Sequence, residues 1–590
     1  MKQFFLTLAG VFAGLLLFFI GVPVLFVMSL VSSAKPAPTP ANSVLALDLR
    51  HSLADQEPNN PFAFLGAKSM SVMSVVQTLH RAETDPKVKG LLIRLPEGGT
   101  SPAAADEIRL AIMAFRATGK PVLAHSQGIY ASGVSTATYM LGSASGNFWM
   151  QPGAALQSTG MAADETFFKR FFDKWQIHPD YQQRYEFKNA VNPYLYSDFT
   201  PSHREAELGW MTSIYTTELA AAAADRKLDA GKLRATLEAG PYGAEDAKAR
   251  GLIDAVGQVD DAETTIKKSA GATELVDFAS YKSSASTVGV SGPTIAVIGA
   301  EGEITTGTSK GGGFNDQGGI YSDDIAKAFR QAIDDKEVKA ILFRVSSPGG
   351  SDTASEQILA GVRAAKAAGK PVVVSMGTYA ASGGYWVSSE ATKIVAEPTT
   401  LTGSIGVFGG KFALADALGH FGVDQRSIGV GGDFASAFSS GQPFTPSQRA
   451  QVSAWMDKIY AGFIQRVAEG RHLPVERVRE IAKGRVWTGE QAKGLGLVDE
   501  IGGFYDAVRV TKQLVGLSAT DKVRLQMLPA HKSPFAIFEQ AMGVSAASIR
   551  TTAAAAWLLG DPRAQGFMDT MMRTRMGPDA GTVRAPTPLR

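Results

Sequence analysis

The chain has 590 residues, of which 45% are hydrophobic and 19% charged, a composition typical of a globular protein with room for two to four domains. A formal net charge of +2, without any block of like charges, argues against DNA or RNA as a partner. The absence of cysteine excludes disulfides and thiolate chemistry, and the eight histidines show no paired ligand spacing, so we expect neither a metal nor another cofactor.

A long apolar run opens the chain. No charged residue lies between Lys2 and Lys35, and a spanning helix needs about 20 apolar residues, whereas the core of a signal peptide has about 7–15. Residues 1–34 are therefore predicted to be an uncleaved, single-pass membrane anchor. Lys2 places the N-terminus in the cytoplasm and the rest of the chain outside it. Residues 35–46 are predicted to form a stiff, proline-rich linker.

The remainder of the chain is a tandem repeat. The segment "KGLLIRLPEGG" from Lys89 resembles "KAILFRVSSPGG" from Lys339, 250 residues later, and "GLIDAVGQ" similarly resembles "GLVDEIGG". We predict one repeat over residues 47–285 and a second over 286–528. Residues 529–590 form a C-terminal extension that we predict to be partly disordered.

Within each repeat, an apolar strand is followed by a glycine-rich turn, an alanine-rich helix, a "GKP" break and a second apolar strand. The first strands are predicted at 91–95 and 341–345, and helical patterns follow at 217–237, 447–468 and 475–482. Because strands alternate with helices, we predict an α/β fold with a mainly parallel sheet in each repeat.

The repeats differ at two residues that carry chemistry. Ser382 lies in "ASGGYW", and its counterpart Ser132 lies in "ASGVST", where the second glycine is lost. Lys188 lies in "YEFKNAVNPY", and the second repeat has Ala435 at the aligned position. A residue that only one repeat contains is not required by the shared fold. The second repeat therefore has the serine that is followed by two glycines, and the first repeat has the lysine.

A serine becomes a nucleophile when a base accepts its proton, and a lysine amine serves as that base if burial keeps it neutral. Deprotonating an unperturbed lysine at pH 7 costs about 4.6 kcal/mol, so the site must lower the pKa of Lys188 by several units. Apolar neighbours such as Phe187 and Val191 supply dry surroundings. Alternation along a strand is expected to turn Glu186 away from the amine. We predict that Ser382 and Lys188 form a catalytic pair.

Other serine chemistries receive less support. A G-x-S-x-G elbow is missing, because Ala380 occupies the first glycine position before Ser382. The S-x-x-K at Ser32 lies beside the linker, where no helix presents it to a substrate. His420 follows Ser382 in the same repeat and is an alternative base, although its surroundings are typical of a surface or helix-end histidine.

Backbone amides near Ser382 are candidates for an oxyanion hole. The "SSPGGS" turn lies between a predicted strand and a predicted helix, and its glycines allow a close approach of backbone to substrate. The N–H groups of Gly349, Gly350 and Gly383 are therefore predicted to stabilise a developing negative charge on the substrate.

Together these motifs resemble a known family. "VSSPGGSDTASE", "GKPVVVSMGTYAASGGYWVSS" and "TLTGSIGVFGG", with "YEFKNAVNP" and "FTPSHREAELGW", are similar to the long, duplicated form of signal peptide peptidase A, or protease IV. The resemblance covers roughly residues 43–528. It implies a crotonase-like or Clp-protease-like fold, a homotetramer, and a body that faces the periplasm from the bacterial inner membrane. The implied activity is degradation of cleaved signal peptides and other extended apolar peptides.

The resemblance also implies residue roles. Ser382 matches the nucleophile of the family, Lys188 its general base, and Ser404, in "LTGSIG", a serine that helps to hold the lysine amine. The family motif "YKSAVEP" reads "FKNAVNP" here, with Asn189 and Asn192 at the changed positions. The surroundings of the lysine and the substrate preference therefore stay open.

Two other functions are compatible with parts of the sequence. A crotonase-type acyl-CoA hydratase or isomerase would use similar glycine-rich turns, but it would be cytosolic and would not need the Ser–Lys pair. A non-catalytic membrane scaffold or chaperone descended from the protease would keep the anchor and the fold.

Overall fold

The computed structural model describes residues 39–57, 70–281, 292–309 and 319–529. The predicted membrane anchor, and the C-terminal extension beyond residue 529, lie outside these ranges. Among the described residues, none of the helices has the length and apolar character needed to cross a bilayer.

The first repeat alternates short strands with helices. Its strands are β1 (Ser43–Asp48), β2 (Val88–Arg94), β3 (Val122–Ser126), β4 (Phe148–Met150), β5 (Ala155–Leu156), β6 (His178–Gln183), β7 (Tyr242–Gly243), β8 (Ala255–Val256) and β9 (Glu274–Asp277). Its helices are α1 (Val72–Thr84), α2 (Pro102–Ala117), α3 (Ser135–Ala144), α4 (Lys169–Trp175), α5 (Asn192–Leu195), α6 (Pro201–Arg226), α7 (Ala230–Glu238), α8 (Ala244–Ala249) and α9 (Val259–Ala270). Turns of 3₁₀ helix cover Asn189–Val191 and Phe278–Ser280.

The second repeat follows the same plan. Its strands are β10 (Thr294–Glu301), β11 (Ile304–Thr305), β12 (Ile320–Tyr321), β13 (Val338–Ser347), β14 (Val372–Ala381), β15 (Lys393–Ala396), β16 (Leu401–Gly403), β17 (Phe408–Ala413), β18 (Val486–Thr488), β19 (Glu500–Ile501) and β20 (Arg524–Leu528). Its helices are α10 (Ser322–Asp334), α11 (Asp352–Ala367), α12 (Gly383–Ser388), α13 (Ala415–Gly419), α14 (Pro446–Arg471), α15 (Val475–Ile481), α16 (Gly489–Gly494) and α17 (Phe504–Leu514), with a 3₁₀ helix at Asp433–Ser436.

Each repeat has its own sheet. The first sheet has the strand order β8-β4-β3-β2-β1-β9, and all of these pairs are parallel. The second has the order β18-β16-β14-β13-β10-β20, with β15 paired to β14 and β19 paired to β15, and its one antiparallel pair is β16–β18. The prediction of a mainly parallel α/β fold in each repeat is confirmed.

Side chains on the two faces of the second sheet enter different cores, as the two-residue period of a strand requires. Along β10, Ile295 and Val297 pack toward Phe504 of α17, whereas Ala296 and Ile298 belong to the core that includes α10 and α11. The sheet is therefore covered by helices on both faces, which is typical of parallel sheets.

Two sequence predictions differ from the structure in extent. The helix predicted at 217–237 is divided between α6 and α7, because Lys227 ends α6 in a left-handed conformation and Asp229 caps α7 by accepting a hydrogen bond from the Lys232 N–H. The first strand begins at Ser43, inside the predicted linker, because the apolar side chains that follow are buried in the first sheet.

The two repeats, predicted as separate domains, belong to one compact unit of the chain. A two-stranded antiparallel ribbon joins them, in which β6 of the first repeat pairs with β17 of the second over six residues each. Buried polar contacts also join them: Arg344 pairs with Asp55 and Glu107, and the Thr399 hydroxyl donates to Asp106 at 2.6 Å. The Thr399 contact holds the segment that precedes β16 and Ser404.

Candidate active site

Ser382 lies at the sharp turn between β14 and α12. Its backbone has φ 53° and ψ −117°, a left-handed conformation that residues other than glycine rarely adopt. The Ser382 N–H donates to the Gly403 carbonyl of β16 at 2.9 Å, and its own carbonyl accepts from the Trp386 N–H. The strained turn is therefore held at both ends, and it fixes where the serine hydroxyl points.

Lys188 lies on the first repeat, between the β6–β17 ribbon and the 3₁₀ helix Asn189–Val191. Two glycines of the second repeat make room for it: a Cβ atom on Gly484 would lie 2.5 Å from the Lys188 Cβ, and one on Gly406 would lie 3.2 Å from its Cδ. The residue is only 4% exposed. Close backbone approach at these glycines thus buries a lysine of one repeat inside the other.

The amine and the hydroxyl meet within one chain. Lys188 Nζ lies 3.1 Å from Ser382 Oγ, and it lies 2.9 Å from both the hydroxyl and the carbonyl oxygen of Ser404. Burial lowers the pKa of Lys188 to about 7. A neutral amine has two N–H groups for the Ser404 oxygens and one lone pair, which is then free to accept the Ser382 hydroxyl proton.

Glu186 is turned away from the amine, but not for the predicted reason. Its carboxylate pairs with Lys483 at 3.3 Å on the surface. Residues 184–187 form a turn and not a strand, so alternation along a strand does not apply. The carboxylate is drawn outward by a partner of opposite charge.

Of the three amides predicted for an oxyanion hole, two are available. The Gly349 N–H donates to Ser347 Oγ at 3.1 Å, so this amide is already engaged. Among the described residues, the N–H groups of Gly350 and Gly383 have no acceptor. They are neighbours, since a Cβ atom on Gly383 would lie 3.1 Å from the Gly350 nitrogen. The prediction is therefore reduced to two donors beside Ser382.

The equivalent turn of the first repeat is closed. Gly99, the second glycine of this turn as Gly350 is of the other, donates its N–H to the Ser132 carbonyl at 2.5 Å, and Ser132 is exposed to solvent. His420, the alternative base, is an exposed residue at the end of α13. The predicted site residues that the structure brings together are therefore Ser382, Lys188 and Ser404, with Gly350 and Gly383 beside the serine.

Sequence reasoning missed a group of titratable residues behind the lysine. A cavity of about 220 Å³ is lined by Lys188 and Ser404, and also by Glu165, His203 and Glu207. His203 and Glu207 are four residues apart on α6, which puts them on one face of that helix. That spacing is the sequence signal that could have identified His203 and Glu207. Glu165 precedes α4, and no sequence pattern connects it with the other two residues.

Comparisons with known proteins agree with the tandem repeat and with the protease motifs. The sequence profile of peptidase family S49 matches residues 114–273 and 364–518, one segment in each repeat. The chain belongs to this family. The resemblance seen in the sequence is thereby confirmed, and the protein is a serine protease. This assignment decides against the acyl-CoA enzyme.

Named relatives cover most of the chain. Protease 4 of Salmonella typhi is 35% identical over 76% of this chain and 72% of its own. The chloroplastic serine protease SPPA of Arabidopsis thaliana is 29% identical over 82% of this chain and 71% of its own. A protein of Enterococcus faecium whose name describes a signal peptide peptidase is 33% identical over 30% of this chain and 52% of its own.

Proposed function

We propose that this S49 protease works through a Ser–Lys pair in which Ser382 is the nucleophile, Lys188 the general base and Ser404 the residue that orients the amine. The observation that carries the proposal is the 3.1 Å contact between the Ser382 hydroxyl and a buried amine of another repeat. The low pKa of Lys188, about 7, supports it, because a base must be neutral to accept a proton.

In the proposed reaction, Lys188 takes the hydroxyl proton while Ser382 attacks the peptide carbonyl. The protonated lysine then gives this proton to the leaving amine, and an acyl-enzyme remains. A water molecule, activated by the same neutral amine, hydrolyses the ester and releases the second product. The N–H groups of Gly350 and Gly383 stabilise the negative oxygen in both steps.

The proposed substrates are extended apolar peptides, cleaved signal peptides among them. The resemblance to signal peptide peptidase A and the name of the Enterococcus faecium relative support this substrate class. We also propose the Clp-protease-like assignment of each repeat, the homotetramer, the N-terminal anchor in the bacterial inner membrane and the periplasmic position of the body. The apolar run at residues 4–31 supports the anchor.

The test is cleavage of an internally quenched apolar signal-sequence peptide by the purified full chain. Ser382→Ala and Lys188→Ala are each expected to lower kcat/KM by at least about 10³-fold. Ser132→Ala, the matched serine of the first repeat, is expected to leave kcat/KM unchanged. Undiminished cleavage by the first two variants would remove both residues from the mechanism.

A further inference from the structure

The cavity behind Lys188 extends the site beyond the Ser–Lys pair. Its volume is about 220 Å³, and it shares Lys188 and Ser404 with the candidate active site. One water molecule takes about 30 Å³ of liquid, so the cavity has room for several waters or for one long side chain. Whatever occupies it lies directly beside the proposed general base. We call it the acidic pocket, after Glu165 and Glu207 in its wall.

The two carboxylates of the acidic pocket have no strong cationic partner. In the part of the chain that the structure describes, neither Glu165 nor Glu207 forms an ion pair with a lysine or an arginine. Their side chains are each 31% exposed, and burial raises the pKa of both, that of Glu165 to about 7. Partly desolvated carboxylates without a counter-ion are unfavourable, and a cation placed between them would relieve this cost.

His203 does not supply the missing charge. Its Nε2 lies 3.2 Å from a Glu165 oxygen and 3.8 Å from a Glu207 oxygen, but burial lowers its pKa, which favours the neutral ring. The buried Nδ1 of this ring has no hydrogen-bond partner among the described residues. The two carboxylates, when ionised, are therefore acceptors without a cationic partner.

Ammonium and guanidinium groups match such a lining, because they are donors only and carry a positive charge. The aliphatic stem of lysine or arginine would also find apolar contacts, since Phe187, Ala206 and Val486 also line the pocket. An apolar side chain would fill the same volume but would leave both carboxylates without a counter-ion.

We propose that the acidic pocket binds a lysine or arginine side chain of the peptide substrate, with Glu165 and Glu207 as the residues that select it. This inference rests on the proposed function and adds a cationic position to an otherwise apolar substrate. It predicts that the protease prefers apolar peptides with one basic residue at a fixed distance from the scissile bond.

The test uses the full chain and a series of internally quenched apolar peptides. One residue at a time, within four positions of the scissile bond, is replaced by lysine, or by norleucine as a control of similar length without charge. At one position, kcat/KM for the lysine peptide is expected to exceed that for the norleucine peptide about tenfold, which corresponds to about 1.4 kcal/mol. The ratio of two peptides cancels those changes in the Ser–Lys pair that affect both peptides equally.

Variants locate the source of this preference. Glu207→Gln and Glu165→Gln are each expected to lower the lysine-to-norleucine ratio several-fold, and the double variant to bring it close to 1. Glu186→Gln is the matched control, since it removes a charge near Lys188 in the sequence but outside the pocket, and it should keep the ratio. The ratio should also rise between pH 6 and pH 8, as Glu165 becomes ionised.

Three results would overturn the inference: a norleucine peptide at least as good as lysine at every position, a ratio that the double variant leaves intact, or a preference that EDTA abolishes. The last would assign the pocket to a metal ion. If the unmutated protein cleaves no peptide of the series, the proposed function itself fails, and the inference fails with it. Cleavage of the norleucine peptides without lysine preference overturns the inference alone.

Discussion

The two repeats have the same strand–turn–helix frame but use the glycine-rich turn differently. In the first, the Gly99 N–H is bonded to the Ser132 carbonyl, so the turn is closed by its own backbone. In the second, Ser382 is held by Gly403 of the neighbouring strand, and the Gly350 N–H stays available. The two turns thus differ in whether this backbone amide is engaged, while both repeats keep a parallel sheet.

The lysine shows the reverse difference. Lys188 extends from the first repeat into a space that Gly406 and Gly484 of the second keep open. Its aligned partner, Ala435, is exposed on the 3₁₀ helix Asp433–Ser436. Each repeat has therefore kept one part of the proposed machinery, and five experiments test this division.

The largest effect is expected from moving the lysine. Lys188→Ala combined with Ala435→Lys should stay at least about 10³-fold below the unmutated protein in kcat/KM. An exposed lysine at 435 keeps its charge at pH 7 and cannot act as a base. Ala435→Lys alone should retain activity. Recovery of cleavage in the double variant would show that the two positions are interchangeable.

The second-largest effect is expected at the glycine-rich turn of the second repeat. A Cβ atom on Gly350 would lie 2.1 Å from the Ile304 carbonyl oxygen, so Gly350→Ala should displace the amide and lower kcat by about 10²-fold. Gly99→Ala crowds the Val134 backbone of the first repeat as closely and is the matched control. Both variants are compared by thermal unfolding and by kcat. Equal losses of kcat would contradict an oxyanion role confined to the second repeat.

The third prediction is that the pH dependence of kcat/KM reflects the ionisation of Lys188. Its pKa in the folded protein is about 7, so kcat/KM should be level above that pH and fall about tenfold per unit below it. Because folding lowers this pKa from 10.5, the unfolded chain binds more protons between pH 7 and 10.5, and the contribution of Lys188 to stability should rise with pH there. Lys188→Met should remove that rise. An unchanged slope in the variant would mean that the lysine is not buried.

A smaller effect is expected at Ser404. Ser404→Ala removes one of the two oxygens that hold the amine and should lower kcat/KM about tenfold, a loss equivalent to one hydrogen bond to a group that becomes charged. Ser158 is the aligned serine of the first repeat, and its buried hydroxyl has no partner among the described residues. Ser158→Ala should therefore be neutral in the same assay.

The smallest effect concerns backbone strain. Ser382→Gly and Ser382→Ala should both be inactive. The free energy of unfolding should be about 1 kcal/mol higher for the glycine variant than for the alanine variant, because glycine adopts φ 53° without steric cost. Ser132 has no positive φ, so the same pair of substitutions there should show no such gain. Denaturant unfolding of the four variants makes the comparison.

The fold class and the proposed Ser–Lys pair were accessible from the sequence because the repeats can be compared with each other. The apolar strands and the lysine at position 188 needed no knowledge of distant contacts. The β6–β17 ribbon was not accessible, since its pairing joins segments more than 200 residues apart and neither has a strong strand pattern.

The details around the site depended on the same distant contacts. The sequence predicts a strand at Glu186. The residues on either side of it instead donate backbone hydrogen bonds to the second repeat, Arg184 to the Val407 carbonyl and Phe187 to the Lys483 carbonyl. The engagement of the Gly349 amide depends on the rotamer of Ser347, which no sequence pattern specifies. Glu165 joins His203 only after the chain has folded back over α6.

The origin of Lys188 and Ser382 in different repeats also separates them in time. The ribosome adds the serine 194 residues after the lysine, a delay of about 10–40 s at ordinary rates of synthesis. Until the later segment has folded against the earlier one, the growing polypeptide holds an amine without its hydroxyl. On the proposed mechanism, a half-made copy cannot cut its neighbours or itself, and proteolysis waits until the second repeat has folded against the first.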